Sequence, residues 1–348
     1  MCRHIAPVGH VMHDEAVTPH GIALIVASQR RGLIDWNDEA VGVVYAEPDG
    51  GNCRAHCVTD QPLPAAIAAV RAELAAQKLA PAVVYEVHER LRRDHSAFGH
   101  DAPAPTDATG DVALYVGDEA PYLWPAALDG AMKLLDAAGL HPVPMGIGRS
   151  NGYLACSLGF PDTARQQATA LLDAVQAIGA RQLLVLSPGD VFTFRQLYDE
   201  RLGIDWPAAV ELVDLAAFLA DRVADGGLAF KPSDEQAAVA YVDPTHAVRV
   251  PERFDPVRTL VSAVVSGPPL ELFWRRERAH PVGSTALQFT HPDIADALTR
   301  ARLDDARQAG AEILLCEDPG TLYQLNRFAA SMDLRVQGLY ELLAERLL

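Results

Sequence analysis

The sequence predicts an α/β protein in which a small helical N-terminal domain precedes two doubly wound, Rossmann-like α/β domains facing each other across a pseudo-twofold cleft. Three features predict it. After residue 110, short apolar runs alternate with longer Ala- and Leu-rich amphipathic stretches, the pattern of parallel strands covered by helices. That alternation repeats at one fixed spacing. The first 93 residues instead carry helical periodicity, and an aperiodic stretch rich in Pro, Ala, Thr and Asp divides the two regions.

In chain order, Pro19 to Arg31, Trp36 to Tyr45 and Pro64 to Lys78 read as helices. Thr18 followed by Pro19 is a start signal, a cap and then a first-turn proline. In the third helix Ile67, Val70 and Leu74 fall at three- and four-residue steps. Residues 94–110 read as a linker. Beyond it Val112–Val116, Gln182–Leu186, Val239–Val242 and Ile313–Cys316 read as strands. Pro161–Ala164 matches Pro292–Ala295, Gly179–Leu184 matches Gly310–Leu315, Pro188 and Gly189 fall on Pro319 and Gly320, and Gly152 falls on Gly283, all at an offset of 131. One spacing held by four landmarks implies a duplication. The resulting domains are 1–93, 111–228 and 236–348, with the linker at 94–110. Open parallel sheets bind ligands beyond the carboxyl ends of their strands, so the strand-end turns are where chemistry is expected.

Composition narrows the function classes. A chain that is 49% hydrophobic and 22% charged is an ordinary globular one, which excludes a fibrous or disordered protein. Lys+Arg 29 against Asp+Glu 46 leaves a net charge of -17, which repels a polyphosphate and makes nucleic acid an unexpected partner. No stretch reaches the ~18 apolar residues of a membrane span, and the first residues lack the apolar core of a signal peptide. The expectation is a cytoplasmic protein without a membrane span. Cys2, Cys53, Cys57, Cys156 and Cys316 are an odd, scattered set, which argues against a disulfide framework.

The strand-end turns are Val116–Asp118, Arg149–Gly152 and Ser187–Asp190, then Asp243–His246, His280–Gly283 and Asp318–Thr321. This framework resembles the cysteine-rich CCG-domain family of iron-sulfur proteins. Its members include the B subunit of heterodisulfide reductase, the iron-sulfur subunit of anaerobic glycerol-3-phosphate dehydrogenase and proteins that accompany amine- and lactate-oxidising flavoenzymes. Upstream, Cys2–Pro7, Thr18–Gly21 and Cys53–Cys57 are similar to the helical two-cluster ferredoxin domain that precedes CCG domains in such proteins. The resemblance implies cluster cysteines at the turns. The corresponding positions hold Asp118, Ser150, Asn151 and Asp190, then Thr245, Pro281, Val282 and Thr321.

The ferredoxin-like part departs in the same way. Its pattern is C-x2-C-x2-C-x3-C-P, with each cluster drawing three cysteines from one run and one from the other. Cys2 stands as a third cysteine whose fourth is Ala6, and the second run keeps Cys53 and Cys57 with Glu47 and Gly50 in place of its other two. By the family's pairing Cys2 and Cys57 would serve one cluster and Cys53 the other, so no standard [4Fe-4S] cubane is expected. Cys156 and Cys316 read as apolar filler.

Three functional expectations follow. The first is a cluster-free homologue of an electron-transfer subunit, acting as a scaffold or regulatory subunit of a redox complex. Its implied partner is a flavoprotein dehydrogenase, a cysteine-complete iron-sulfur paralogue or a second copy of the chain. The second is an enzyme or binding protein that uses the cleft, with Asp118, Asp190, His246 and His280 holding a metal or a small cationic substrate and Arg149, Ser150, Asn151, Thr245, Arg249 and Thr321 around them. The third is a residual redox function through one unusual cluster or a single zinc or iron ion at Cys2, Cys53 and Cys57, with His4 and His56 as further candidates, completed by a histidine or by a second chain. Gly146–Gly152 lacks the lysine of a phosphate loop, and no nucleophile-elbow, Walker or zinc-protease motif occurs, so hydrolase, NTPase and metalloprotease readings have no support.

Overall fold

The computed structural model describes residues 2–232 and 237–348, Cys2 by its backbone alone. The start of the second α/β domain, at 236, therefore lies outside the described residues. Helices form where the start signals stand: Pro19–Arg30 behind Thr18, whose hydroxyl accepts the Gly21 N–H at 3.1 Å, and Asp38–Tyr45 behind Asn37, whose side chain accepts the Ala40 N–H at 2.8 Å. Leu63–Ala76 and Ala82–Arg93 complete the helical region.

Two parallel sheets follow, so the protein is mixed α/β. The first contains β1 (Val112–Tyr115), β2 (Val143–Met145), β3 (Gln182–Val185) and β4 (Glu211–Asp214) in the order β2-β1-β3-β4. The second contains β5 (Val239–Tyr241), β6 (Ile313–Cys316) and β7 (Arg335–Gly338) in the order β5-β6-β7. A parallel bridge from Ala240 to Leu270 occupies the place beside β5 that β2 occupies beside β1. Helix Ala126–Ala137 packs on Leu339–Glu345, and Leu215–Ala224 packs on Phe254–Val264, so the helices between the sheets pair reciprocally. No helix of the described residues is long and apolar enough to cross a membrane.

The apolar cores run across the expected boundaries. One joins Ile22, Val44, Val70 and Val84 of the helical region to Ala113 and Tyr115 of β1 and to Val185 of β3. A second fills the space between the sheets, from Leu114 and Leu184 to Leu315 and Leu343. Residues 94–110 carry no helix or strand, yet Ser96 and Ala97 are buried, so the segment starts as packed structure and not as a solvated tether. Gly152, ahead of helix Tyr153–Leu158, and Gly283, ahead of helix Leu287–Thr290, have φ of 97° and 89°. A Cβ would stand 2.6 Å from the Ala164 carbonyl oxygen at the first and 2.6 Å from the Ala295 Cα at the second, so both positions require glycine.

Candidate functional site

The carboxyl ends of both sheets converge on one cavity of about 60 Å³, room for roughly four waters. The first sheet contributes Val116 to Ala120 after β1, Ser150 and Asn151 after β2, and Ser187, Gly189 and Asp190 after β3. The second contributes Thr245 and His246 after β5, Ser284 and Thr285, and Asp318 after β6. Phe98, from the segment before β1, also lines it.

Contacts across the cavity are reciprocal. Ser187 Oγ donates to Asp318 Oδ1 at 2.5 Å, linking two residues 131 apart. The Glu119 carboxylate lies on Gly320, in the first turn of helix Pro319–Ala329; a Cβ there would be 2.6 Å from Glu119 Oε2. From the other half His246 lies on Gly189, where a Cβ would be 3.0 Å from Nδ1. Asp318 itself is occupied as the cap of its helix, accepting from the Thr321 N–H at 2.9 Å and the Thr321 hydroxyl at 2.7 Å.

The remaining carboxyl groups are held but not neutralised. Asn151 Nδ2 donates to Asp190 Oδ1 at 2.7 Å, and Asn151 is fixed in turn by the Tyr198 hydroxyl, which donates to its carbonyl at 2.8 Å. Tyr198 lies on a π-helical stretch, Thr193–Leu202, a rare winding that is frequent at functional sites. Asp118 accepts from Ser96 and from the Ala97 N–H, while its Oδ2 is buried with no hydrogen-bond partner.

Burial pushes the Asp118 carboxyl up to about 6. It pushes Asp190 well above the carboxylate range, with Asp118 and Asp318 adding repulsion. Glu119 rises for the same reasons: burial first, then Asp318, Asp118 and Asp190. Burial also lowers His246 to about 4, so its ring, stacked on Phe192 at 5.3 Å, is neutral at pH 7. No Lys or Arg is among the described lining residues. Burial and mutual repulsion therefore favour the protonated forms of these carboxyl groups, and no Lys or Arg lines the cavity to offset them.

The structure thus brings together six of the sequence-derived cleft residues: Asp118, Ser150, Asn151, Asp190, Thr245 and His246. Four others lie elsewhere. His280 is buried, stacked on Trp274 at 3.8 Å, because its turn packs against the N-terminal region. Thr321 sits beneath Asp318 as its cap partner. Arg149 lines a separate groove, with Nη2 donating to the Pro103 carbonyl at 3.1 Å. Arg249 is buried on Asp49 at 2.8 Å and lies 4.4 Å from the Phe192 ring centroid.

Asp49 also receives Arg201 in two bonds of 2.7 and 2.8 Å. Burial alone would raise its carboxyl, but the Arg201 and Arg249 guanidiniums outweigh that and hold it well below the usual range. In the N-terminal set, the His4 and His56 rings lie 6.1 Å apart edge to face, Cys53 is buried, and the Cys57 thiol accepts the Gln61 N–H at 3.4 Å. The Cys2 side chain lies outside the described residues. Among the described residues no three His, Cys, Asp or Glu side chains converge as metal ligands.

Sequence reading missed Glu119, Phe98 in the lining and Ser96 as a partner of Asp118, and it named Ser187 only as the start of a strand-end turn. A signal for Glu119 existed: Ala113 and Ala240 occupy equivalent strand positions 127 residues apart, and the same offset sets Glu119 on His246.

No family model and no curated protein matches the chain. Among solved structures, a crystal structure of a hypothetical protein from Helicobacter pylori is similar, with a TM-score of 0.65 and 11% identity over 94% of this chain and 67% of that one. At that identity the likeness is one of fold.

Proposed function

We propose that this protein binds a small cationic, hydrogen-bond-donating group, such as an ammonium, in the cavity between its two parallel sheets. One observation carries the reading: the half-buried Asp118, Glu119 and Asp190 share one cavity whose described lining holds no Lys or Arg. A cation entering that space replaces protons as the counter-charge, so binding strengthens as pH rises. The carboxyl groups do not converge on one point as a metal shell, and this favours an ammonium, whose donors spread to several acceptors.

The framework of the site we read as a duplication of a Rossmann-like unit, 111–228 and 236–348, behind a helical region at 1–93. Supporting it are the equivalent sheet orders, the paired glycines 152 and 283, and the reciprocal contacts of Glu119 and His246. Titration of methylammonium chloride into the full chain at pH 6 and pH 8, followed by calorimetry, tests the binding claim. Tighter binding at pH 8 that weakens at least tenfold in Asp118→Asn and Asp190→Asn supports it. No binding at either pH, or unchanged affinity in both variants, refutes it.

A second reading has its own support. Where the CCG-family resemblance sets cluster cysteines, at Glu47 and Gly50, the chain instead builds the Asp49 ion pairs with Arg201 and Arg249. A cluster-free subunit that keeps the framework of a redox complex fits that exchange. Anaerobically purified protein is then colourless and low in iron and sulfide; brown protein with stoichiometric iron and sulfide refutes it.

A further inference from the structure

The acid cavity is too small for a whole ligand. Its volume of about 60 Å³ falls below the ~300 to 1,000 Å³ of ordinary small-molecule sites. Beside it lies a groove of about 400 Å³, inside that range. Three chain segments pass from one space to the other within three residues. Tyr115 lines the groove and Val116 the cavity; Arg149 lines the groove and Asn151 the cavity; His95 lines the groove and Phe98 the cavity. Ser150 lines both, and its N–H donates to the His95 carbonyl at 2.8 Å in the wall between them.

The groove differs in chemistry. Met145 and Ile147 from the edge of the first sheet, and Leu171 and Ala174 from helix Pro161–Ile178, make it apolar. Residues 103–107, exposed and without helix or strand, pass over it and are tied by the Arg149 bond to the Pro103 carbonyl. A charged head cannot shed its water in such a groove, and an apolar body has no place in a cavity of acids.

We propose that the cavity and the groove form one composite site for a primary amine with an apolar body, the ammonium among Asp118, Glu119 and Asp190 and the body beneath residues 103–107. This rests on the reading of the cavity as a cation site. Ser150, which lines both spaces, marks where head meets body. Each methylene that enters the groove tightens binding roughly fourfold.

Calorimetry of the full chain with methylammonium and n-hexylammonium chlorides at pH 8, and with 1-hexanol as a neutral control, tests it. With its five additional methylenes in the groove, hexylammonium should bind on the order of 1,000-fold tighter than methylammonium, and hexanol should bind more weakly than hexylammonium. In Ala174→Phe, and in Ala170→Trp at the exposed rim should the first variant fold poorly, the hexyl-to-methyl affinity ratio falls at least tenfold. Equal affinities for the two amines, with both weakened by Asp118→Asn, overturn the composite site and leave the cation cavity standing. Hexanol binding as tightly as hexylammonium, with Asp118→Asn without effect on any probe, overturns both.

Discussion

Replacing Asp118 by Asn should reverse the sign of its effect on stability between acid and neutral pH. Burial raises the folded-state value of this carboxyl from 3.8 to about 6. An acid raised on folding keeps its proton in the native state where the unfolded chain has lost it, so native stability falls as pH climbs from about 4 to about 6. The full penalty is present above that window and absent below it. The shift corresponds to ~3 kcal/mol at 1.36 kcal/mol per pH unit. Asn cannot ionise, so it escapes the penalty, and its carbonyl can still accept from Ser96 and Ala97. Against this, an amide N–H₂ replaces the buried Oδ2 that has no partner, a cost of ~1 to 2 kcal/mol at every pH. The variant is then less stable than the native chain by ~1 to 2 kcal/mol at pH 4 and more stable by a similar amount at pH 7.5. At this chain length 1 kcal/mol is worth ~1.4 °C in Tm, so the difference in Tm should swing by ~4 °C. Thermal unfolding followed by circular dichroism at pH 4, 5, 6 and 7.5 measures it. A difference between variant and native protein that stays constant across that range refutes the reasoning.

Three other perturbations have defined outcomes. Asp49→Asn leaves Arg201 and Arg249 buried without their counter-charge and should cost ~3 to 5 kcal/mol by urea denaturation at pH 7. Because the Asp49 carboxyl is held low in the fold, its contribution is complete above the unfolded value and lost as pH falls, so the variant's stability should decline less below pH 4. Gly152→Ala and Gly283→Ala each force a Cβ into backbone 2.6 Å away and should each cost ~2 to 4 kcal/mol, read as a lowered denaturation midpoint. His280→Phe, in a stack with Trp274 away from the cavity, should leave methylammonium affinity unchanged and stability within ~1 kcal/mol of the native chain.

Much of the fold was legible because its signals are local. Thr18 with Pro19 starts a helix where the sequence marks it, and β6 occupies Ile313–Cys316 as the apolar run indicates. Strands β2, β4 and β7 were harder to see, since Val143-Pro-Met145, Glu211–Asp214 and Arg335–Gly338 are short or polar edge strands without a continuous apolar run. Half of the site followed from strand-end logic: the segment that follows a parallel strand reaches the crevice, as Asp118 and Asp190 do within five residues of the ends of β1 and β3. His280 and Arg249 misled because their destination depends on the N-terminal region, whose Asp49 and His10 lie far away in sequence. Within 94–110, whose composition is that of a linker, Phe98 lines the cavity and Ser96 bonds Asp118 through contacts that no periodicity announces.

Carboxyl-carbon NMR of the full chain, assigned through Asp118→Asn, Glu119→Gln and Asp190→Asn, reaches the proposal most directly. In the ligand-free protein Asp118 should titrate near pH 6 and Glu119 and Asp190 should titrate above the ordinary carboxylate range; saturating methylammonium should lower all three midpoints. Three midpoints near 4 in the free protein, unmoved by the amine, would contradict it.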